Sequence, residues 1–378
     1  MLVLFFLSSG LLLGWSLGAN HAANVFGTAV GSRMVRFGTA ALICSVFVII
    51  GSVVGGAGAA GTLGQLGAVD ALGGAFMVAL AAAVTITVMT RWGLPASTSQ
   101  AVVGAIIGWN VFSGVPTDVS ALTKIVAAWV VCPVLAGVFA VGFYLLHRRL
   151  ARRLRPHLLW DDMATRWALI AVGAFGSYSL GANNIGNVMG VFVPVAPFPG
   201  LELPFGLSFS GAQQLFLLGG LAIALGVFTY SHRVMSTVGG DLFKLTPQMA
   251  LVVVLSLSVV LFLFSSQDLE RLLRNAGLPT LPLVPISSSQ AVIGAVVGLG
   301  LLKGGRGIRY RVLVDIAVGW VTTPLIAGFL AFVGLFFLQN VFSVPVNRAH
   351  GADPSPAAIE RPVNAAATTV ACAPSTPP

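Results

Sequence analysis

The hydrophobic positions of this chain do not form a stripe. They run on in long blocks, interrupted by short polar and charged stretches. Ten windows contain no charged residue: 1–32, 37–69, 71–90, 92–117, 125–146, 167–201, 203–231, 245–267, 275–302 and 316–347. A helix crossing a bilayer needs about 20 mainly apolar residues, and each window supplies them. The pattern predicts an all-α polytopic membrane protein of ten membrane segments, five in each half. An odd number per half forces the second half to insert upside down relative to the first, giving two inverted repeats.

The polar interruptions support the repeat. Gly18-Ala19-Asn20-His21-Ala22-Ala23-Asn24 recurs as Gly181-Ala182-Asn183-Asn184-Ile185-Gly186-Asn187. Pro95-Ala96-Ser97-Thr98-Ser99-Gln100 recurs as Pro285-Ile286-Ser287-Ser288-Ser289-Gln290, and each copy runs on into a Gly-rich apolar stretch. Trp129…Pro133 returns as Trp320…Pro324. Self-similarity over this span marks two homologous halves.

Charge then orients the chain. With the arginine-rich stretch 147–166 placed in the cytoplasm, alternating crossings put fifteen of the twenty Lys and Arg on that side, as the positive-inside rule favours. Lys124, Arg271, Arg274, Arg348 and Arg361 fall outside, as do both termini. The expected divisions are 1–146, a first transmembrane repeat; 147–166, a basic cytoplasmic connector; 167–343, the inverted second repeat; and 344–378, a Pro-, Ala- and Thr-rich disordered tail. The connector's arginines serve orientation and solubility or meet anionic headgroups. The first 17 residues are apolar but lack a basic start and an A-x-A site, so they read as a retained helix.

Composition narrows the classes. The chain is 57% hydrophobic and 8% charged, against about 25% charge in soluble domains. The net charge of +9 follows from topology and implies no nucleic acid. Cys44, Cys132 and Cys372 have neither metal spacing nor a pairing framework, and Cys44 and Cys132 read as small apolar residues. All eleven Asp and Glu lie between the windows or in the tail. No carboxylate pair or nucleophile–base arrangement is visible, so an enzyme is not expected.

The two polar breaks carry the chemistry. Asn20 and Asn24, like Asn183 and Asn187, stand one helical turn apart on one face. Such a pattern serves either close helix packing or a ligand. In the second break, proline at the first helical position would place Ser97, Thr98 and Ser99, and Ser287, Ser288 and Ser289, in the first turn. There they join free amides at the positive end of the helix dipole, an arrangement that binds oxyanions. A plain N-cap needs only one such hydroxyl. Two starts related by an inverted repeat can converge on one tetrahedral anion. His21, the one titratable group in a motif, is either a hydrogen-bonded structural residue or a proton carrier.

These residues resemble the inorganic phosphate transporter (PiT) family over nearly the whole chain to about residue 340. The likeness rests on both Gly-Ala-Asn motifs and both hydroxyl runs, together with His232-Arg233-Val234-Met235-Ser236-Thr237-Val238-Gly239 and Leu245-Thr246-Pro247. The resemblance implies a secondary transporter with two inverted repeats and re-entrant helical hairpins, which would change which windows cross fully. It also implies one phosphate held by Asn20, Asn24, Asn183, Asn187, Ser97, Thr98, Ser99, Ser287, Ser288 and Ser289. The family's fourth motif residue is aspartate in both halves; here it is His21 and Asn184. Its hydroxyl runs end in histidine; here they end in Gln100 and Gln290. His21, Asn184, Gln100 and Gln290 are thus the coupling or supporting positions.

The expected function is ion-coupled transport of an inorganic anion, with H⁺ preferred to Na⁺ because the carboxylates that would hold a metal cation are replaced. The family favours phosphate, whereas a donor-rich site without acids suits sulfate. A non-transporting membrane sensor or scaffold is the third reading. No cofactor is expected beyond the coupling H⁺ or Na⁺. The partners are phosphate or sulfate and the lipid bilayer of the cell membrane, with a homodimer as a further option.

Overall fold

The computed structural model describes residues 2–67, 69–91, 96–154, 157–195, 198–203, 207–232, 234–235, 246–305 and 310–348. Among them are twelve α-helices: α1 Leu2–Gly31, α2 Phe37–Gly55, α3 Ala57–Leu66, α4 Leu72–Arg91, α5 Thr98–Ser113, α6 Val119–Leu154, α7 Leu158–Met189, α8 Gly211–Thr229, α9 Pro247–Ser265, α10 Gln267–Asn275, α11 Ser288–Leu302 and α12 Tyr310–Asn340. One small antiparallel hairpin, β1 (Leu201–Leu203) and β2 (Leu207–Phe209), follows α7 with Leu201 opposite Phe209.

Seven of these helices are long and apolar enough to cross a membrane: most of α1, then α2, α4, α6, α8, α9 and most of α12. Each of the ten charge-free windows holds a helix, but they are not ten equivalent spans. Helices α5 and α11 have 16 and 15 residues, about 24 and 22 Å at 1.5 Å per residue, short of a ~30 Å hydrocarbon core. The window 37–69 splits at Gly56. A Cβ there would lie 2.3 Å from Ile185 Cγ2 and 2.4 Å from the Ser52 carbonyl oxygen, so the bend lets α7 pass.

The packing repeats with the halves exchanged. Helix α1 lies on α8 as α7 lies on α2, and α1 lies on α4 as α7 lies on α9. Likewise α5 packs on α12 as α11 packs on α6. The last pair is matched to the residue. A Cβ at Gly104 would sit 2.1 Å from the Pro324 carbonyl oxygen, and one at Gly294 would sit 2.1 Å from that of Pro133. The repeated Trp…Pro segments of α6 and α12 are thus the surfaces on which the two short helices rest.

Helix α7 is the centre. Every residue from Ser179 through Phe192 is buried, and a helix buried all round belongs to a core. Helices α6 and α12 form the outside, exposing Val130, Val134 and Val138, and Val321, Leu325 and Phe329. The buried positions of α6 are mostly Ala, Gly and Cys, small residues that let backbones approach.

The stretch 147–166 is helical over most of its length. Helix α6 continues to Leu154 and α7 begins at Leu158, capped by His157 Nδ1, which accepts from the Leu159 amide at 3.4 Å. Arginine and leucine are good helix formers, so Arg148, Arg149, Arg152 and Arg153 lie on the last turns of α6. From residue 349 the tail lies outside the described residues. Its first residues do not hang free: Val346 is fully buried and its carbonyl accepts from Trp109 Nε1 at 2.9 Å, fastening the end of α5.

Candidate functional site

The two hydroxyl runs start helices α5 and α11, but three residues later than the sequence suggests. Ser97 and Ser287 have extended backbone and act as N-caps, each accepting the amide of Gln100 or Gln290 on its side-chain oxygen at 3.4 and 3.3 Å. Pro285 therefore precedes the cap by two residues and is not the first helical residue; Pro95 lies outside the described residues. The serine wins the start because its oxygen satisfies an amide that the helix leaves without a partner. Thr98 and Ser99, and Ser288 and Ser289, then form the first turn. Their amides have no intrahelical acceptor, and they stand at the positive end of each helix.

The asparagines of α1 and α7 tie these starts together. Asn187 Nδ2 donates to Ser99 Oγ at 3.0 Å, and Asn24 Nδ2 donates to Ser288 Oγ at 3.2 Å. Each motif helix thus reaches the hydroxyl run of the opposite half. Asn183 grips the second run's backbone, its Nδ2 donating to the Ile286 carbonyl at 2.8 Å while its Oδ1 accepts the Ile286 amide at 3.1 Å. Ser99 Oγ donates to that same carbonyl at 3.1 Å. Both helix starts, from residues almost 190 positions apart, therefore meet beside α7.

Other expected site residues are placed differently. Asn20 donates to the Ser16 carbonyl of its own helix at 3.0 Å. Asn184 donates to the Leu180 carbonyl at 3.0 Å and accepts from Asn187 at 3.2 Å. Ser289 is half-buried, whereas Ser97, Thr98, Ser99, Ser287 and Ser288 are buried. Of the buried polar atoms without a hydrogen-bond partner among the described residues, five belong to expected site residues: His21 Nδ1, Thr98 Oγ1, Gln100 Oε1, Asn187 Oδ1 and Gln290 Oε1. Buried polar groups are nearly always paired, so these atoms, on the motif helices and the two helix starts, are open to a partner. The glutamines do not reach back to close a capping box as Gln213 does at Ser210. Among the described residues no group of three His, Cys, Asp or Glu is placed to hold a metal ion.

The motif glycines answer the packing reading. A Cβ at Gly18 would fall 1.9 Å from the Ile223 carbonyl oxygen, and one at Gly181 2.2 Å from that of Val48. Glycine seats each motif helix, and asparagine reaches the hydroxyl runs. Sequence reasoning missed Cys132, whose thiol faces the Ser287 carbonyl at 3.8 Å. Its counterpart in the repeated Trp…Pro segment is Thr323, also buried. That polar match was the available signal.

Crossed membrane helices, two short helices starting inside the protein, and donor-lined starts held by the opposite half define the class of membrane transporters built from repeats. The model of the phosphate transporter family matches residues 17–164, 155–331 and 276–370, and the chain belongs to that family. It is 25% identical over 318 residues to a protein of Methanocaldococcus jannaschii named as a phosphate permease, covering 84% of this chain and 91% of the relative. A Pyrococcus horikoshii protein of the same name is 26% identical over 405 residues, covering 87% and 95%. The fold matches a solved sodium-dependent phosphate transporter with a TM-score of 0.69 at 24% identity, over 90% of this chain and 99% of that one.

Proposed function

We propose that the chain is a secondary transporter of inorganic phosphate, coupled to protons rather than sodium. It would act as two inverted repeats in the cell membrane with both termini outside. The observation that carries this reading is the meeting of two helix starts, one from each half, beside the asparagines of α7. Two positive helix ends and several hydroxyls converging in a buried place suit a tetrahedral oxyanion. A site shared between halves is also what rocking of one repeat against the other requires.

The unpaired acceptors bear on which anion. Gln100 Oε1, Gln290 Oε1 and Asn187 Oδ1 are buried and lack donors. Monohydrogen and dihydrogen phosphate carry a proton that such an oxygen accepts. Sulfate at neutral pH offers none and leaves the acceptors unpaired, which a site built around hydrogen bonds penalises. Neutral amides thus supply acceptors for the phosphate proton in a site without carboxylates. As for the cation, Asn184 spends its amide within α7, leaving no carboxylate and little free oxygen for sodium at that position. His21 is buried with Nδ1 unpaired and supplies a proton acceptor beside the motif.

Proteoliposomes holding the purified protein decide between the readings. Labelled phosphate is expected to enter without sodium, faster when the outside is acid, with sulfate a poor competitor. His21→Gln is expected to flatten the pH response while uptake remains measurable. Uptake that requires sodium would overturn proton coupling, and sulfate entering as fast as phosphate would overturn the choice of anion. Entry of neither, in protein that stays folded, would leave a membrane sensor or scaffold.

A further inference from the structure

At the opposite end of α7 from its asparagines, a pocket opens between the last turns of α6, the first turn of α7 and the start of α9. Tyr144, His147, Arg148 and Arg152 line it from α6, Asp161 from α7, and Gln248 from α9. Its volume is about 430 Å³, ample for a phosphate ester and its substituent. Arg148 and Arg152 are one helical turn apart and project to the same side. Among the described residues the only ion pairs are Arg271–Asp268 and Arg274–Glu270, both in α10, so these two arginines have no carboxylate partner there. Asp161 is engaged by Gln248 Nε2 at 3.3 Å.

The surroundings fix the depth of this pocket. Leu145, Leu146, Leu150 and Leu154 are exposed beside the arginines of α6, and Trp160 and Trp167 are exposed on α7, seven residues and so two turns apart. Exposed leucines beside arginines are costly in water. Tryptophan belts and snorkelling arginines belong at the level of the headgroups.

We infer that this pocket binds an anionic phospholipid, with the phosphodiester on Arg148 and Arg152 and the acyl chains along the exposed leucines of α6. Arginine's planar fork suits phosphate oxygens, and basic pockets between membrane helices are a recurring form of headgroup site. A hydroxylated headgroup such as glycerol would place its donors against Asp161, the one acid in the pocket. The site lies on other residues than the transport reading, and its test does not depend on transport.

Native mass spectrometry of the full chain in detergent, titrated with phosphatidylglycerol, phosphatidylcholine or inorganic phosphate, tests the assignment. Phosphatidylglycerol is expected to bind in preference to phosphatidylcholine. R148Q/R152Q is expected to weaken it about 25-fold, at roughly fivefold for each basic side chain near an anionic lipid. R149Q/R153Q removes the same charge from the same helix outside the pocket and is expected to change binding less than threefold. R148K/R152K keeps the charge without the fork and is expected to fall between, which also covers a glutamine variant that fails to fold. Equal losses in the two glutamine variants would reduce the effect to a charged surface and overturn the site. So would an absence of lipid preference, or displacement of the bound lipid by inorganic phosphate.

Discussion

At the scale of single residues, the four motif asparagines are not equivalent, although the sequence writes them as two matched pairs. Asn183 holds both the amide and the carbonyl of Ile286, whereas Asn20 only bonds back to its own helix. Removing Asn183 strands the buried Ile286 amide, at about 1–3 kcal/mol, and takes one of two hydrogen bonds from the Ile286 carbonyl, at about 1 kcal/mol, since Ser99 still donates to it. Asn183→Ala is therefore expected to lower stability by about 2–4 kcal/mol, and Asn20→Ala by less than about 1 kcal/mol. Thermal unfolding in detergent at matched lipid content measures both. Equal losses would mean that the grip on Ile286 does not hold the start of α11. The repeat made all four asparagines visible, but not the asymmetry. That arises because Asn183 faces a peptide of the facing run while Asn20 finds only Ser16.

At the scale of elements, the short helices α5 and α11 rest on proline carbonyls of the opposite half through Gly104 and Gly294. An added methyl at either glycine meets a backbone oxygen and the proline Cα, neither of which can rotate away. Gly104→Ala and Gly294→Ala are each expected to cost about 1–3 kcal/mol, as overpacking does, and by similar amounts because the two contacts match. Gly142 in α6 has nothing within 4 Å of its added Cβ, so Gly142→Ala is expected to be neutral or slightly stabilising through helix propensity. Chemical denaturation of the three variants compares them directly. A Gly142 effect as large as the other two would show that helix backbone, and not contact, sets the loss. The Gly-rich runs after both hydroxyl motifs were plain in the sequence. Their partners were not, since each lies in the other half of the chain.

At the scale of the whole molecule, the exchange of packing partners between halves is what a two-fold relation produces. Inverted insertion is the form of that relation suited to a membrane. Ser120, at the start of α6, and Lys303, at the end of α11, are both exposed and belong to different halves. In a background with its cysteines replaced, Ser120→Cys is expected to react with an impermeant thiol reagent from outside, and Lys303→Cys from inside. Reaction of both from one face would refute the inverted arrangement, while the packing exchange would still stand.

The sequence by itself determined the membrane class, because few charged residues and long apolar blocks leave a chain no soluble core to build. It also determined the repeat, through two motifs written twice, and the residue types of the site, because amides and hydroxyls in apolar sequence are expensive enough to be noticed. Tertiary structure decided the rest. Whether an apolar window spans depends on where its helix begins, and a serine cap two residues past Pro285 shortened α11 in a way that hydropathy does not register. Which asparagine reaches which hydroxyl depends on contacts between residues up to 264 positions apart, and these are set by how the halves interlock. The unpaired oxygens of Gln100 and Gln290 emerged only from the fold, since a glutamine three residues past a serine cap usually closes a box with it. Here neither glutamine closes it.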